Sequence, residues 1–557
     1  MSWNLGLLYI GAIIFCVSNA FTVTVHPLQD KYFELSVIHF NDFHARFVET
    51  SAVSGTCRKT DDCIAGLARL LTESRKLMRE RPNAIFLNAG DHYMGTLWYN
   101  VHTWNATVYF LNKLPHDAIN VGNHDFDDGI EGLVPFLQRF NKPVVVTNID
   151  DSEEPTIQGY FKNSTIITRG NQRIGVIGVI LQSTSTLAKT GKLKFLDEIE
   201  SVNAEATRLK AKGVDIIIVL SHCGLDVDRK IAANCPDIDV IVGGHSHTFL
   251  YTGTPPFNDK PEDEYPVVVK QNRTDRTVLI VQAAAFTKYL GNLTVWFDSR
   301  GEVADWEGNP ILLDKKIVQD PELLEELKPW QEAVDAKGLV QVGVTESFLN
   351  GTYCRAEECN LANLITDAMV YAYVNKSDNP NYWTYAAISC TNAGGVRNDI
   401  LPGPITYGDV ATVQPFDNTW DVVELKGEDL RTTLEESVAF SKNPKQFWGV
   451  RFLQWSGVRV VYNLTKPAYS RIVSVKVRCQ KCSQPVFEVL HDDEWYRLIL
   501  PTFVLNQGDN ITTIAMKQRN HQIGRLDVPQ IINYIEKISP VDYKVDGRLT
   551  LLGNCCG

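Results

Sequence analysis

The chain has no basic block, no internal repeat, no low-complexity tract and no second long apolar run after its N-terminus. Lys and Arg number 54 against 66 Asp and Glu, giving a formal net charge of -12. Nucleic acid is thereby excluded as a partner, because polyanion binding draws on clustered cations. No later stretch reaches the ~18–20 apolar residues that a bilayer span needs. The final residues, LTLLGNCCG, lack the hydrophobic tail of ~10–20 residues that a lipid-anchor signal requires. The expectation is a protein without a membrane anchor. What remains is globular: 44% hydrophobic and 22% charged residues, close to the average for folded domains. At 557 residues the chain exceeds the ~250–300 that one hydrophobic core supports, so at least two domains are expected.

The first twenty residues, MSWNLGLLYIGAIIFCVSNA, carry an apolar run from Leu5 to Val17 and a small-residue exit at Ser18-Asn19-Ala20. This reads as a signal peptide cleaved after Ala20, although no Lys or Arg precedes the run. The expected location is therefore secreted and extracellular. The cysteines suit an oxidising compartment. Cys57 and Cys63, Cys354 and Cys359, and Cys479 and Cys482 are close in sequence and flanked by polar, loop-like residues, which predicts three local disulfides. Cys479-x-x-Cys482 also has the spacing of half a zinc site or a redox motif. Cys223 and Cys235 are candidates for a fourth bridge. With Cys16 removed in the signal peptide, Cys390, Cys555 and Cys556 then remain, an odd number, so at least one thiol is unpaired or intermolecular, and the oligomeric state stays open. Asn-x-Ser/Thr sequons at Asn105, Asn163, Asn272, Asn292, Asn350, Asn375, Asn463 and Asn510 suit a glycoprotein.

From about residue 33 to 298 apolar runs (FELSVIHF, AIFLNAG, RIGVIGVI, VDIIIVLSH, IDVIVGGH, TVLIVQAAA) alternate with amphipathic stretches such as CIAGLARLLTESRKLMRE and VNAEATRLKAKG. Strands alternating with helices predict a layered α/β domain. In QDPELLEELKPWQEAVDAKG, Asp320 is a plausible N-cap and Pro321 takes the first helical position. That helix is the expected connector. The resulting organisation is residues 1–20 signal peptide, 21–318 first domain, 319–340 linker helix and 341–557 a second α/β domain.

Polar residues fall where those strands end: Asp42 and His44 after ELSVIHF, Gly90-Asp91 after AIFLN, Gly122-Asn123-His124-Asp125 after DAINV, His222 at the end of DIIIVLSH, and Gly244-His245-Ser246-His247 after DVIV. In α/β sheets the loops at the carboxyl ends of strands gather around one crevice. Two Asp, one Asn and several His brought together suit zinc, manganese or iron better than calcium or magnesium alone. Two such ions ~3.5–4 Å apart are a known solution for in-line phosphoryl hydrolysis.

These five blocks resemble those of the calcineurin-like metallophosphoesterases. The stretches NAGDHYMGTLWYN and VGNHDFDDGIEGLVPFL are similar to the 5′-nucleotidase family within them, and the likeness runs from about residue 35 to 548. It implies a four-layer αββα domain followed by a nucleotide-binding domain. It also implies that Asp91 bridges two divalent ions, with Asp42, His44 and His247 completing one site and Asn123, His222 and His245 the other. His124, oriented by Asp127, would assist the leaving group. The ions implied are zinc-like, with calcium or magnesium able to support activity.

In the second half, Arg355 lies inside the Cys354–Cys359 loop and Arg397 follows the turn Asn392-Ala393-Gly394-Gly395. The resemblance implies that Arg355, Asn392 and Arg397 contact the nucleotide. It further implies that Phe416 and Phe503 sandwich the base and that Asp509 holds the ribose. Stacking tolerates every base, so weak discrimination among bases is expected. The chain departs from the family's vertebrate members, which carry cysteines where Thr366 and Ser389 stand, and Cys390 is left without its usual explanation. A glycan on Asn510 would crowd the nucleotide, so Asn510 is expected to be unmodified. HFNDFHARF, SHCGLDVD and the Cys223/Cys235 pair look most like insect salivary apyrases. That likeness implies a secreted enzyme converting ATP and ADP to AMP and restraining platelet aggregation. A soluble 5′-nucleotidase acting on AMP, and a secreted nucleotide-binding protein without catalysis, are the alternatives.

Overall fold

The computed structural model describes residues 32–50, 57, 62–257, 259, 261–271, 273–374, 377, 379–416, 418–439, 449 and 451–553. The expected signal peptide, Asn272, Asn375, Cys555 and Cys556 lie outside them.

Three strands begin the molecule, β1 (Phe33–Phe40), β2 (Ile85–Asn88) and β3 (Ala118–Ile119), paired in parallel. Their side chains alternate between two destinations, as the period of two requires. Leu35, Val37, Ile85 and Leu87 enter one core cluster, while Ile38, Phe40 and Phe86 enter another. The second cluster is completed by three helices, α1 (Leu67–Glu80), α2 (Leu97–Leu111) and α3 (Gly129–Arg139), through residues such as Leu70, Phe110 and Phe136.

The first cluster is shared with a second sheet. Its β4 (Gln172–Ile180), β5 (Ile216–His222), β6 (Val240–Val242) and β7 (Thr277–Val281) run parallel to one another. Val176, Ile218, Ile241 and Ile280 on these strands are fully buried with Leu35 and Val37. Helices α4 (Glu198–Lys210) and α5 (Leu225–Asn234) add Val202, Leu209 and Ile231 to the same cluster. Strand β8 (Tyr289–Phe297) then returns to the first sheet, antiparallel to β1. The result is four layers, helix–sheet–sheet–helix, the expected fold class.

Helix α6 (Pro321–Gly338) starts as its sequence predicts, with the Asp320 carboxylate accepting Leu323 N at 2.9 Å. It buries Leu323, Leu327 and Val334 beside α2, and Trp98 Nε1 donates to Gln331 Oε1 at 3.0 Å. Beyond it, β9 (Ile388–Asn392), β10 (Thr419–Lys426), β11 (Leu453–Ser456), β12 (Trp495–Pro501) and β13 (Arg519–Leu526) form a mixed sheet in the order β11-β9-β12-β10-β13. Helix α7 (Asn360–Tyr371) covers it.

The pairs Cys57–Cys63, Cys354–Cys359 and Cys479–Cys482 are disulfides. The fourth candidate bridge is not formed: Cys223 and Cys235 are separate buried thiols. Cys235 Sγ turns toward Ile199 O on α4, 3.8 Å away. Burial pushes both thiols up, Cys235 to about 12. Thr366 and Ser389 are adjacent, with Ser389 Oγ donating to Thr366 O at 2.8 Å. Cys390, the next residue on β9, points to the opposite face, where it is buried alone.

Candidate metal and nucleotide site

Both sheets of the sandwich contribute to one cluster. Asp42 and His44 follow β1, Asp91 follows β2 and Asn123 follows β3, all from the first sheet. His222 ends β5, and His245 and His247 follow β6, from the second. Two groups of donors result, Asp42, His44, Asp91 and His247, and Asp91, His222 and His245, each with its ligand atoms within 4.8 Å of one another. Asp91 belongs to both. Asn123 Oδ1 lies 2.8 Å from His245 Nδ1 and so joins the second group.

Backbone geometry brings these atoms together at a cost. Asp42, His44, Asp91, His245 and His247 all have positive φ, between 46° and 74°. Side chains other than glycine avoid that region, and such residues persist where surrounding structure over-determines them, commonly at functional sites. The surroundings supply that hold. Asp42 N donates to Gly90 O and His44 N to Asp91 O, each at 3.0 Å. Gly122 is required by close approach, since a Cβ there would sit 2.0 Å from Asp91 Oδ1.

The imidazole tautomers are set by carbonyls. His222 Nδ1 lies 2.7 Å from Ala89 O and His44 Nδ1 3.1 Å from Tyr93 O, so each Nδ1–H donates to a carbonyl and each Nε2 is left to face the cluster. Those Nε2 atoms converge on the other donor groups: His222 Nε2 is 3.1 Å from Asp91 Oδ2, and His44 Nε2 is 3.1 Å from His247 Nε2. His222 Nε2 is buried and makes no aligned hydrogen bond. A ligand imidazole that donates its other N–H to a carbonyl is the usual second-layer arrangement of a metal site. Burial would raise the Asp91 carboxyl, yet His222 and His124 hold it well below the usual range. Imidazole nitrogens gathered around two ionised carboxylates fit divalent cations.

His124 stands beside the cluster, its Nδ1 2.6 Å from Asp127 Oδ2 and its backbone N donating to Asp91 Oδ1 at 2.9 Å. Burial pulls its pKa down, but Asp127, Asp91 and Asp125 outweigh burial and raise it to about 10. Asp125, quoted in the sequence motif without a role, ties the site's loops together. It is fully buried and accepts from His92 N, Tyr93 N and Gly122 N at 2.9, 3.2 and 2.8 Å, with His92 Nδ1 at 3.0 Å. Asn41, Arg46 and Phe286 also line or brace this cluster, and nothing in sequence periodicity marked them.

In the other half, Asn392 Nδ2 donates to Asp509 Oδ2 at 2.6 Å. Burial raises the Asp509 carboxyl, opposed by that amide and by the charges of Arg451, Arg397 and Arg355. Arg451 was not among the residues expected from sequence. Arg397 lies with its guanidinium 5.3 Å from the centre of the Phe416 ring. Phe503 is 46% exposed, and Gly508 abuts it: a Cβ at residue 508 would meet its ring at 2.4 Å. Phe503 N donates to Asn418 Oδ1 at 3.0 Å, tying it to the segment after Phe416.

Residues 35–249 match the family model of the calcineurin-like phosphoesterases, and residues 341–516 that of the 5′-nucleotidase C-terminal domain. An apyrase of Tabanus yao is 45% identical over 94% of both chains. A 5′-nucleotidase of Bos taurus is 38% identical over 94% of this chain and 92% of its own. The crystal structure of a 5′-nucleotidase precursor from Thermus thermophilus superposes with a TM-score of 0.69 at 34% identity, covering 94% of this chain and all of that one. Fold and site together define a metal-dependent phosphohydrolase of the calcineurin-like class. Within that class the chain belongs to the 5′-nucleotidase and apyrase family, and it is a nucleotide phosphohydrolase.

Proposed function

We propose that the protein is an apyrase that hydrolyses ATP and ADP to AMP and phosphate outside the cell, by way of two zinc-like divalent ions. The observation that carries the chemistry is the pair of donor groups sharing Asp91. Asp42, His44, Asp91 and His247 would hold one ion, and Asp91, Asn123, His222 and His245 the other. When bound, such ions supply a nucleophilic water near neutral pH and neutralise charge on the phosphate oxygens. His124 would donate a proton toward the departing oxygen, while Asp127 fixes the ring through Nδ1. Asp125 holds the Asp91 loop against the loop of Asn123 and His124.

Recognition falls to the other half. Phe416 and Phe503 would clamp the base, Asp509 and Asn392 the ribose, and Arg355 and Arg397 the phosphates, for which guanidinium groups are suited. Likeness to the apyrase of Tabanus yao, and to one of Aedes aegypti at 38% identity over 97% of this chain, supports ATP and ADP as substrates. A salivary, anti-platelet role would follow from removal of ADP at a bite. Likeness to the bovine 5′-nucleotidase supports AMP as the second reading. Among the described residues no helix is long and apolar enough to cross a membrane.

Phosphate release from ATP, ADP and AMP, each measured with and without a chelator, separates the readings. Release from ATP and ADP but not AMP is expected. Release from AMP alone would make the enzyme a 5′-nucleotidase, and release undiminished by thorough chelation would sink the two-ion mechanism.

A further inference from the structure

Phe286 lies on the loop after β7, where Ala284, Phe286 and Thr287 have φ of 55°, 64° and 56°. A phenylalanine in the left-handed region is unfavourable unless other contacts compel it. The compulsion comes from the strand end that carries Asp42. Phe286 N donates to Asp42 O at 2.8 Å, Ala283 N donates to Asn41 Oδ1 at 3.0 Å, and Asn41 Nδ2 donates to Ala284 O. Gly66 N further donates to Thr287 Oγ1 at 2.9 Å.

The loop delivers one aromatic ring to two histidines. The Phe286 ring centre is 5.1 Å from that of His247, edge to face at 77°, and 5.5 Å from that of His44, tilted at 50°. The Arg46 guanidinium lies 4.6 Å from the same ring centre, and it donates to His44 O and Gly95 O. His44 already has its Nδ1 fixed by Tyr93 O. His247 is the more exposed partner, its side chain 38% accessible against 6% for His44, so its orientation leans on its ring neighbours.

We propose that Phe286 is a positioning residue for the ion held by Asp42, His44, Asp91 and His247, and not for the other ion. This rests on the two-ion reading above. An imidazole that shares its lone pair with a cation carries a more positive ring edge. The negative face of an aromatic ring attracts such an edge, so the near-perpendicular contact favours the loaded orientation of His247, with His44 tilted against the same ring. Arg46 keeps the phenyl ring in place from the protein side.

The test is titration of metal-free protein with Co2+, following stoichiometry, affinity and the visible ligand-field absorption. Wild type should take two ions. Phe286→Ala should still take both, with one dissociation constant raised about 10–100-fold, the range seen when outer-layer partners of metal ligands are removed. The other constant should be unchanged, and the absorption of the weakened site altered. Phe286→Leu fills the volume without a ring and should behave like Phe286→Ala. Phe286→Tyr should restore wild-type affinity. Wild-type affinities at both sites in Phe286→Ala, even with a raised KM for ADP, would overturn the proposal. Equal weakening of both sites accompanied by a fall in melting temperature would overturn it too, because the residue would then serve the fold. A wild-type protein binding fewer than two ions would instead refute the two-ion reading itself.

Discussion

At His124 burial and charge pull in opposite directions, and the three neighbouring carboxylates win, raising its pKa to about 10. Replacing it tests whether its proton is used. His124→Gln keeps much of the volume and a hydrogen-bonding group but has no proton to give. It should lower kcat for ADP by about 10²–10⁴-fold, the usual worth of a general acid, with KM and metal content little changed. Asp125 should respond differently. Asp125→Ala leaves three buried N–H groups without their acceptor, each worth ~1–3 kcal/mol. Chemical denaturation should show a loss of several kcal/mol together with loss of activity. A wild-type unfolding midpoint in that variant would mean that the carboxylate does not tie the loops.

The loops that carry the ligands are shaped by what stands behind them as much as by their own residues. Gly122→Ala would place a methyl group 2.0 Å from Asp91 Oδ1, so the carboxylate shared by both donor groups has to move. The expected outcome is loss of metal binding in a titration and of phosphate release, with the strands β2 and β3 intact by circular dichroism. On α6, Asp320→Ala should cost about 1 kcal/mol, the typical worth of an N-cap, measured as a shift in denaturation midpoint. That cap was legible, as was β1, because each follows from local pattern: a carboxylate before Pro321, and FELSVIHF as a short apolar run. Helix α2 was not. Its sequence LWYNVHTWNATVYFL is apolar on nearly every side and its backbone breaks at Thr103, with φ 51° and ψ -144°, so no single face announces a helix. The clustered donor residues were legible as strand ends. That they come from two stacked sheets was not, because periodicity does not say which strands pair. Phe286 was illegible for a related reason, as its contacts to His247 and His44 join segments about 40 and 240 residues away in the chain.

Across the whole molecule the proposed chemistry and the proposed recognition of the nucleotide fall to different halves of the chain, which makes their energies separable. Metal binding should stabilise the half that holds the ligands: an ion present at a hundred times its dissociation constant contributes about 2.7 kcal/mol. Chelation should therefore lower the melting temperature, and adding zinc should restore it. The nucleotide cluster needs a different probe. Phe416 and Phe503 were marked only by resemblance, because a phenylalanine in sequence reads as core. In the structure Phe503 is 46% exposed and Phe416 packs beside a guanidinium. Base stacking is worth about 1–3 kcal/mol per aromatic, or roughly 5–150-fold in binding. Phe503→Ala should therefore raise KM for ADP within that range while leaving metal content and melting temperature near those of wild type. A small phosphate ester with no base meets the ions and His124 but has nothing to stack, so its hydrolysis should be unaffected by Phe503→Ala and abolished by His124→Ala. If Phe503→Ala slowed both substrates alike, the exposed ring would be acting on the chemistry or the fold, and the division of labour between the two halves of the chain would be wrong.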